Sequence, residues 1–322
     1  MTEARPEILQ RYNRVAVIGA GVIGASWTAL FLAHGLQVVV NDPREDIEGV
    51  VHDYVSASAP VLQTLGLPTA NLTQHLRFEP DLDRAVADVD LVQENGPERI
   101  EFKQALWARI DKIAKRDALL LSSSSAKTAT EQARDMAHPE RMLVGHPFNP
   151  PHLIPLIEVV PGEKTHPDAV ADAVAFYAAL GKEPRVLRKE IQGFVANRLQ
   201  RAIFRESVHL VLEGVVTADE LDDIVTNSVG LRWAADGPFR SFHMGGGSGG
   251  FRSFFKQFAP SMDAAWRNMA PVALDEAAQA KIIAQADDSF GARPLGELEA
   301  ERDEKQLAII RALNEAKAQR NT

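Results

Sequence analysis

The sequence predicts an α/β fold in which a doubly wound parallel sheet is followed by a second, all-helical domain. Up to about residue 190, short β-branched runs alternate with helical segments, a pattern typical of parallel strand–helix–strand units. From Gly193 onward, helical patterns follow one another with almost no strand signal. A chain of 322 residues also divides naturally into two domains of ordinary size. We therefore predict domains at residues 1–190 and 191–322, separated near the turn-like stretch Lys189–Gly193.

The first strand–helix–strand unit lies close to the N-terminus. Val15–Ile18 is a β-branched strand, and the glycine turn Gly19–Gly24 follows it. Ala25–His34 has helical composition, Gly35 is placed to end that helix, and Leu36–Val40 is the second strand. The unit spans about thirty residues, which is the size of a right-handed parallel crossover.

The remaining elements follow the same two patterns. In the first domain, we predict strands at Leu91–Gln93, Leu119–Leu121, Met142–Val144 and Ile157–Val160, with helices at Glu98–Ala114 and Asp168–Ala179. In the second domain, we predict helices at Phe194–Glu213, Ala218–Ser228, Phe251–Met269, Leu274–Ala286 and Leu295–Ala318. Alternating strands and helices in the first domain imply helices on both faces of its sheet.

Composition excludes several classes of protein. A hydrophobic fraction of 45% with 25% charged residues is globular, and the net charge of −9 makes nucleic acid and anionic membranes unexpected partners. The absence of cysteine excludes disulfides, thiolate metal sites and a cysteine nucleophile, and no metal site is predicted. The first residues, MTEARPEILQRYNR, contain no apolar core of signal-peptide length. We therefore expect a soluble, cytoplasmic protein.

A glycine-rich turn predicts a dinucleotide site. Residues 19–24 fit the pattern G-x-G-x-x-G between a strand and a helix. Gly19 would allow the tight turn, Gly21 would let the backbone approach a pyrophosphate, and Gly24 would let helix and strand pack closely. Together with Val22 and Ile23, this turn opens a helix whose N-terminal N–H groups favour phosphate binding. The predicted fold is therefore of the Rossmann type.

An acidic residue at the end of the second strand indicates which dinucleotide binds. Asp42 would accept hydrogen bonds from the ribose diol of adenosine, and its charge would repel a 2′-phosphate. We therefore predict NAD rather than NADP as the cofactor. Arg44, two residues later, is the one feature that weakens this preference.

A histidine and a glutamate form a candidate proton-transfer pair. His146 follows an apolar strand, Asn149 comes three residues later between prolines, and Glu158 lies inside the next apolar run. A carboxylate inside a strand is costly to bury unless it is paired, and an imidazole would be a suitable partner. His146 would take a hydroxyl proton and Glu158 would fix its tautomer. An isolated histidine is more often structural, but the cofactor site upstream favours the catalytic interpretation.

Four serines, at positions 122–125, close another strand at the same edge of the sheet. Their hydroxyls would be placed to hold a substrate oxygen or a nicotinamide. For three of the four, however, the simpler interpretation is that they cap the following helix.

Six motifs resemble one known family over most of the chain. In order, from residue 15 to about residue 240, they are VAVIGAGVIG, VQENGPERIEFK, SSSSA, VGHPFNPPHLIPLIEVV, KEIQGFVANRLQ and GLRWAADGPF. They resemble the L-3-hydroxyacyl-CoA dehydrogenase superfamily, and within it the branch of L-carnitine dehydrogenases and lambda-crystallin (L-gulonate 3-dehydrogenase). The resemblance implies reversible hydride transfer from C3 of an L-3-hydroxy acid to NAD. It also implies a homodimer formed through the helical C-terminal domain.

The resemblance assigns roles to individual residues. It makes His146 and Glu158 the catalytic pair, and Ser125 the serine that hydrogen-bonds the substrate oxygen. The other residues that it places in the site are Asn149 of the histidine motif, Asn197 from the second domain, and Glu98 and Lys103 near the nicotinamide and its ribose.

Charge in one segment argues against a coenzyme A substrate. Residues 45–76 contain no lysine or arginine, and they carry the acidic residues Glu45, Asp46, Glu48 and Asp53. Because these like charges would repel the phosphates of coenzyme A, we expect poor turnover of acyl-CoA.

The resemblance implies that the substrate is a free hydroxy acid, most of all L-carnitine. A trimethylammonium group suits aromatic faces, and a carboxylate suits arginine. Trp233, Phe239 and Arg232 lie close together in the sequence and are our candidates for these contacts, although such aromatics also suit a dimer interface. L-gulonate, another free 3-hydroxy acid and 3-hydroxybutyryl-CoA remain alternatives. A non-catalytic, crystallin-like role is the least expected, because the residues of the proton-transfer pair are present.

Overall fold

In the computed structural model, which describes residues 5–269 and 271–320, the first part of the chain is built on one eight-stranded sheet. The strands are β1 (Arg14–Ile18), β2 (Gln37–Asn41), β3 (Leu76–Phe78), β4 (Leu91–Glu94), β5 (Leu119–Ser122), β6 (Met142–Pro147), β7 (Leu156–Pro161) and β8 (Glu183–Val186). They lie in the order β3-β2-β1-β4-β5-β6-β7-β8. Every neighbouring pair is parallel except β6 and β7, which are antiparallel.

Helices cover both faces of this sheet. They are α1 (Glu7–Arg11), α2 (Val22–Ala33), α3 (Ile47–Thr64), α4 (Leu82–Ala87), α5 (Ile100–Ile113), α6 (Ala129–Gln132) and α7 (Pro167–Ala179). One core cluster joins the sheet to α1, α2, α3 and α7 and contains Trp27, Phe31 and Tyr177. The cluster on the other face joins it to α4, α5 and α6 around Trp107. The predicted doubly wound sheet is therefore confirmed.

The rest of the chain is helical. It consists of α8 (Ala196–Leu212), α9 (Ala218–Thr226), α10 (Val229–Gly245), α11 (Gly250–Asn268), α12 (Glu276–Phe290) and α13 (Leu295–Arg320). Between α10 and α11, six phenylalanine rings form a cluster with centroids 5.1–6.1 Å apart, namely Phe239, Phe242, Phe251, Phe254, Phe255 and Phe258. Among the helices in the described part of the chain, none is long and apolar enough to cross a membrane.

The chain forms two compact units, one up to Asn197 and one from Arg198 onward. The first unit continues past residue 190 because the segment that leads into α8 contacts the sheet. The N–H groups of Val195 and Ala196 donate to Glu158 on β7 at 2.9 and 3.0 Å. Phe194, which precedes them, is fully buried and has a positive φ of 49°, so α8 begins at Ala196 rather than at the predicted Phe194.

The sequence patterns missed both edge strands of the sheet. β3 is only three residues long and reads LRF, and β8 reads EPRV, which is polar and contains proline, as an edge strand tolerates. Helix α10 was also missed, because Gly237 and Pro238 at its centre are typical of a turn. In the structure, Gly237 has a non-helical backbone conformation (φ 67°, ψ 167°), so α10 consists of two helical segments that meet at a kink there.

Candidate active site

Each of the three motif glycines after β1 is explained by a different feature of the structure. Gly19 has a φ of +80°, and a Cβ atom there would lie 3.0 Å from the carbonyl oxygen of Asn95. A Cβ at Gly24 would lie 2.0 Å from the carbonyl oxygen of Gly19, so only glycine lets α2 pack on the turn. A Cβ at Gly21 would meet nothing within 4 Å. The open side at Gly21 is therefore the side from which a pyrophosphate can approach the backbone, as the motif predicts.

The start of α2 supplies donors for the same ligand. The first bond of the helix runs from the N–H of Ala25 to the carbonyl of Gly21 at 2.8 Å. The N–H groups of Val22 and Ile23 therefore precede the helical hydrogen-bond ladder and lie at its positive end. This geometry fits a dinucleotide phosphate.

Asp42 lies directly beyond β2, beside the glycine turn. Its Oδ2 accepts a hydrogen bond from the N–H of Ala20 at 2.8 Å, and its Oδ1 accepts from the N–H of Arg44 at 3.0 Å. Burial alone raises the pKa of the Asp42 carboxyl, but the hydrogen bonds from Arg44 and Ala20 outweigh it and lower that pKa. Asp42 is therefore a carboxylate at neutral pH, placed where an adenosine ribose would lie.

The predicted proton-transfer pair is formed by strand pairing. In the antiparallel β6–β7 ladder, His146 lies directly opposite Glu158, and His146 Nδ1 is 2.8 Å from Glu158 Oε2. Both residues are buried, with 3% and 2% of their surfaces exposed. The other carboxylate oxygen, Oε1, accepts from the N–H groups of Val195 and Ala196.

These contacts set the protonation of the pair. Burial raises the pKa of the Glu158 carboxyl, but the hydrogen bonds from His146, Ala196 and Val195 lower it further than burial raises it. Glu158 is therefore a carboxylate at neutral pH. As an acceptor, it selects the tautomer of His146 that carries its hydrogen on Nδ1, which leaves Nε2 as the proton acceptor.

A second buried acid organises the ends of β4 and β5. Glu94 accepts from Lys103 Nζ at 2.7 Å and from Ser122 Oγ at 2.6 Å. Lys103 also donates to the carbonyl of Gly96 at 3.3 Å, and its Nζ lies 3.8 Å from Glu98 Oε2. The side chain of Lys103 is thus buried against Glu94 and lies next to Glu98. Lys103 and Glu98, two of the predicted cofactor residues, therefore lie together.

Glu98 in turn holds the serine loop. It accepts from Ser124 Oγ at 2.8 Å, and from both the N–H and the Oγ of Ser125, the latter at 3.0 Å. Asn197 Nδ2 donates to the carbonyl of Ser125 at 3.3 Å. The structure therefore brings three of the predicted site residues, Glu98, Ser125 and Asn197, into direct contact.

The expectation that three of the serines cap the next helix is wrong. That helix, α6, begins at Ala129, four residues after Ser125, and Thr128 caps it in a capping box with Glu131. Ser122 instead donates to Glu94, and Ser123 accepts from Gln93 Nε2 at 2.9 Å. These two hydroxyls instead serve as hydrogen-bond partners for buried polar side chains at the edge of the sheet.

Two aromatic rings that contact His146 were not among the site residues predicted from the sequence. The ring of Phe148 lies 5.5 Å from the His146 ring, and that of Phe194 lies 5.3 Å from it. Asn149 is exposed, two residues beyond the end of β6. Phe148 was detectable, since it stands between the histidine and the asparagine of one motif, whereas Glu94 was marked only by its position at the end of an apolar strand.

The candidate substrate contacts lie on α10 in the second unit. The Phe239 side chain is 79% exposed, and its ring lies 6.1 Å from that of Phe251. Trp233 is half-buried and Arg232 is exposed. The roles of Arg232, Trp233 and Phe239 remain predictions.

Comparison with known families agrees with this geometry. Residues 14–191 match the NAD-binding domain of 3-hydroxyacyl-CoA dehydrogenase, and residues 193–282 match its C-terminal domain. The chain belongs to the 3-hydroxyacyl-CoA dehydrogenase family. It is therefore an NAD-dependent dehydrogenase. The assignment of its NAD site to the glycine turn, the start of α2 and Asp42 stays a prediction.

The chain also aligns with several curated relatives over nearly its whole length. It is 42% identical over 303 residues to an L-carnitine dehydrogenase of Pseudomonas aeruginosa, covering 94% of each chain. It is 41% identical to an L-carnitine dehydrogenase of Streptomyces coelicolor, covering 94% of this chain and 95% of the relative. Among solved structures, it resembles 5-formyl-3-hydroxy-2-methylpyridine 4-carboxylic acid 5-dehydrogenase, an NAD+-dependent dismutase. The TM-score is 0.79, with 32% identity and coverage of 94% and 98% of the two chains.

The glycine geometry predicts that two alanine variants of this dehydrogenase fail in different ways. Gly21→Ala should keep the thermal stability of the wild type but weaken NADH binding at least about tenfold, because its methyl group occupies the space of the pyrophosphate. Gly24→Ala should lower the stability by about 1–3 kcal/mol, because its methyl group overlaps the carbonyl of Gly19. Calorimetric titration with NADH and thermal unfolding measure the two effects. Equal destabilisation in both variants would contradict the assignment of Gly21 to the ligand.

Proposed function

We propose that this NAD-dependent dehydrogenase oxidises the 3-hydroxyl group of a small free L-3-hydroxy acid, namely L-carnitine, to 3-dehydrocarnitine. The observation that carries the substrate is the identity of about 40% to curated L-carnitine dehydrogenases over more than nine-tenths of the chain. The observation that supports the reaction is the buried His146–Glu158 pair at the carboxyl edge of the sheet.

In the proposed reaction, His146 acts as the general base. Its Nε2 takes the proton of the 3-hydroxyl group while the C3–H bond breaks and its electron pair leaves as hydride. NAD, when bound, accepts that hydride. Glu158 stabilises the imidazolium that forms and holds the ring in place through the 2.8 Å contact to Nδ1. In the reverse direction, the same imidazolium returns the proton to the carbonyl oxygen.

Other residues would orient the reactants. The hydroxyl of Ser125, which donates to Glu98 in the structure, would donate to the substrate oxygen instead. Asn197 would keep the Ser125 loop in position through the carbonyl of that residue. Glu98 would line the nicotinamide ribose, Lys103 would support Glu98 from its buried position on Glu94, and Asn149 would lie beside the substrate. These roles follow from the family motif and from the contacts among the residues.

The segment after β2 supports a free acid over an acyl-CoA thioester. Helix α3 and the residues that follow it up to Leu76 carry no lysine or arginine to meet phosphate groups. For the two ends of L-carnitine we propose the contacts predicted above, with Arg232 for the carboxylate and Trp233 and Phe239 for the trimethylammonium group.

Two further properties complete the proposal. We propose a homodimer formed by the helical second unit, because several of its large apolar side chains are more than half exposed in the single chain; they include Leu199, Phe204 and Leu231. We also propose that the enzyme acts in the cytoplasm, where NAD is a common metabolite. Its partners would then be a small hydroxy acid, NAD and a second copy of the chain.

The proton-transfer pair predicts the effects of three substitutions. His146→Ala should lower kcat by about 10²–10⁴-fold and leave the Kd of NADH unchanged, because the base is lost while the cofactor site is intact. Glu158→Gln should also lower kcat strongly, because glutamine can donate to Nδ1 and select the wrong tautomer of His146. As a control, His166→Ala, an exposed histidine before α7, should keep the wild-type kcat. Turnover that survives in His146→Ala would refute the role of this base.

A comparison of four substrates tests the proposed specificity. NADH formation at alkaline pH should be fastest with L-carnitine, by at least about tenfold in kcat/KM over L-gulonate, L-3-hydroxybutyrate and 3-hydroxybutyryl-CoA. A higher rate with L-gulonate or L-3-hydroxybutyrate would keep the reaction and change the acid. A higher rate with the CoA ester would show that the charge of residues 45–76 does not exclude this substrate.

Sedimentation velocity tests the dimer. The wild-type chain should sediment at twice the mass of one chain. Leu199→Asp and Phe204→Asp, both on exposed positions of α8, should shift it toward the monomer because they place charge in an apolar contact. Val50→Asp, an exposed apolar position in the first unit, is the matched control and should stay dimeric. A monomeric wild type would contradict the proposal.

A further inference from the structure

An arginine two residues after Asp42 is held against the cofactor site by that acid. Arg44 Nε donates to Asp42 Oδ1 at 3.0 Å, and Arg44 Nη2 donates to the carbonyl of Ala20 at 3.1 Å. The Arg44 side chain is 44% exposed, whereas the Asp42 side chain is only 8% exposed. The guanidinium group therefore bridges the acid and the glycine turn at the adenosine end of the NAD site.

The contacts of the acid show what Arg44 does there. Asp42 Oδ2 is engaged by the N–H of Ala20, and Oδ1 is shared between the backbone and the side chain of Arg44. Each group favours the charged form of the other: the hydrogen bond to Asp42 raises the pKa of Arg44, and that from Arg44 lowers the pKa of Asp42. As long as the pair is intact, Nε of the guanidinium group is engaged by the carboxylate of Asp42, and Nη2 is engaged by the carbonyl of Ala20.

The position of the pair relates it to one part of the cofactor. An acid at the end of the second strand binds the ribose hydroxyls of adenosine, and the 2′-hydroxyl is the one that NADP carries as a phosphate ester. The guanidinium group of Arg44, which is hydrogen-bonded to that acid, is therefore a candidate partner for a 2′-phosphate. Arginine also matches phosphate geometry with two parallel hydrogen bonds.

We propose that Asp42 and Arg44 form a single cofactor-selectivity element, in which Arg44 is a latent ligand for the 2′-phosphate of NADP that Asp42 keeps engaged. In the wild type, a 2′-phosphate meets the charge of Asp42 and has to displace it from Arg44, so NAD is preferred. When the carboxylate charge is removed, Arg44 is released to the phosphate. The chain then needs no added basic residue to bind NADP.

Binding of adenosine phosphates tests this without any hydroxy acid. Titration calorimetry with NADH, NADPH, 5′-AMP and 2′,5′-ADP compares the wild type with Asp42→Asn, which keeps an oxygen for the N–H of Ala20 but loses the charge. Asp42→Asn should bind NADPH and 2′,5′-ADP at least about tenfold more tightly than the wild type, and NADH more weakly. In Asp42→Asn/Arg44→Ala, the gain for 2′,5′-ADP should disappear while the affinity for 5′-AMP is kept.

A second arginine in the same region provides the matched control. Arg84 pairs with Glu79 at 3.1 Å, and the carbonyl of Glu79 accepts from Asn41 at the end of β2. Asp42→Asn/Arg84→Ala should therefore keep the gain for 2′,5′-ADP, which separates a direct contact from a general loss of positive charge.

The outcomes that overturn the proposal are equally direct. Arg44 is not the ligand if Asp42→Asn/Arg44→Ala binds 2′,5′-ADP as tightly as Asp42→Asn does. The proposal also fails if folded Asp42→Asn and Asp42→Ala, checked by circular dichroism, bind 5′-AMP but show no gain for 2′,5′-ADP. Because the readout is binding of nucleotides, these results do not depend on the identity of the hydroxy acid.

Discussion

The active site depends on the need to satisfy one buried carboxylate. Glu158 has only 2% of its surface exposed, and an unpaired charge at that depth would cost several kcal/mol. Antiparallel pairing of β6 and β7 brings His146 to one oxygen, and the backbone leading into α8 brings two N–H groups to the other. The contacts that stabilise the buried carboxylate also orient the imidazole of His146. They hold the segment just before α8 against the sheet as well. The stability of this buried carboxylate and the proposed proton transfer therefore rest on the same hydrogen bonds.

A similar arrangement holds the opposite side of the site. Glu94 is fully buried at the end of β4 and is satisfied by Lys103, Ser122 and the N–H of Gly96. Lys103 lies close to Glu98, which in turn holds the serine loop. Because Glu94 and Glu98 each accept hydrogen bonds from residues of other elements, the carboxyl ends of β4 and β5 are tied to α5 before any ligand binds. A site that is held in this way needs little rearrangement when cofactor and substrate enter.

Much of this arrangement follows from local patterns. The glycine turn, Asp42 and the HPFNPP motif were recognisable because each combines a residue type with a fixed place at the end of a strand. The role of the serines was not, because their partners are more than twenty residues away in the sequence and Thr128, not a serine, caps α6. Strands β3 and β8 were missed for a related reason, since their place in the sheet is decided by neighbouring strands and not by an apolar period.

The sequence by itself determined the fold class, the NAD-binding character of the first domain and the residues of the pair His146 and Glu158, because periodicity and motif spacing are local properties of the chain. Only the tertiary structure decided that β7 runs antiparallel to β6, that Glu94 forms an ion pair with Lys103, and that Asp42 forms an ion pair with Arg44. The last two are contacts between charged groups, and each is set by which buried acid finds a donor within hydrogen-bond distance. That choice depends on the three-dimensional packing of several elements, which no local pattern encodes.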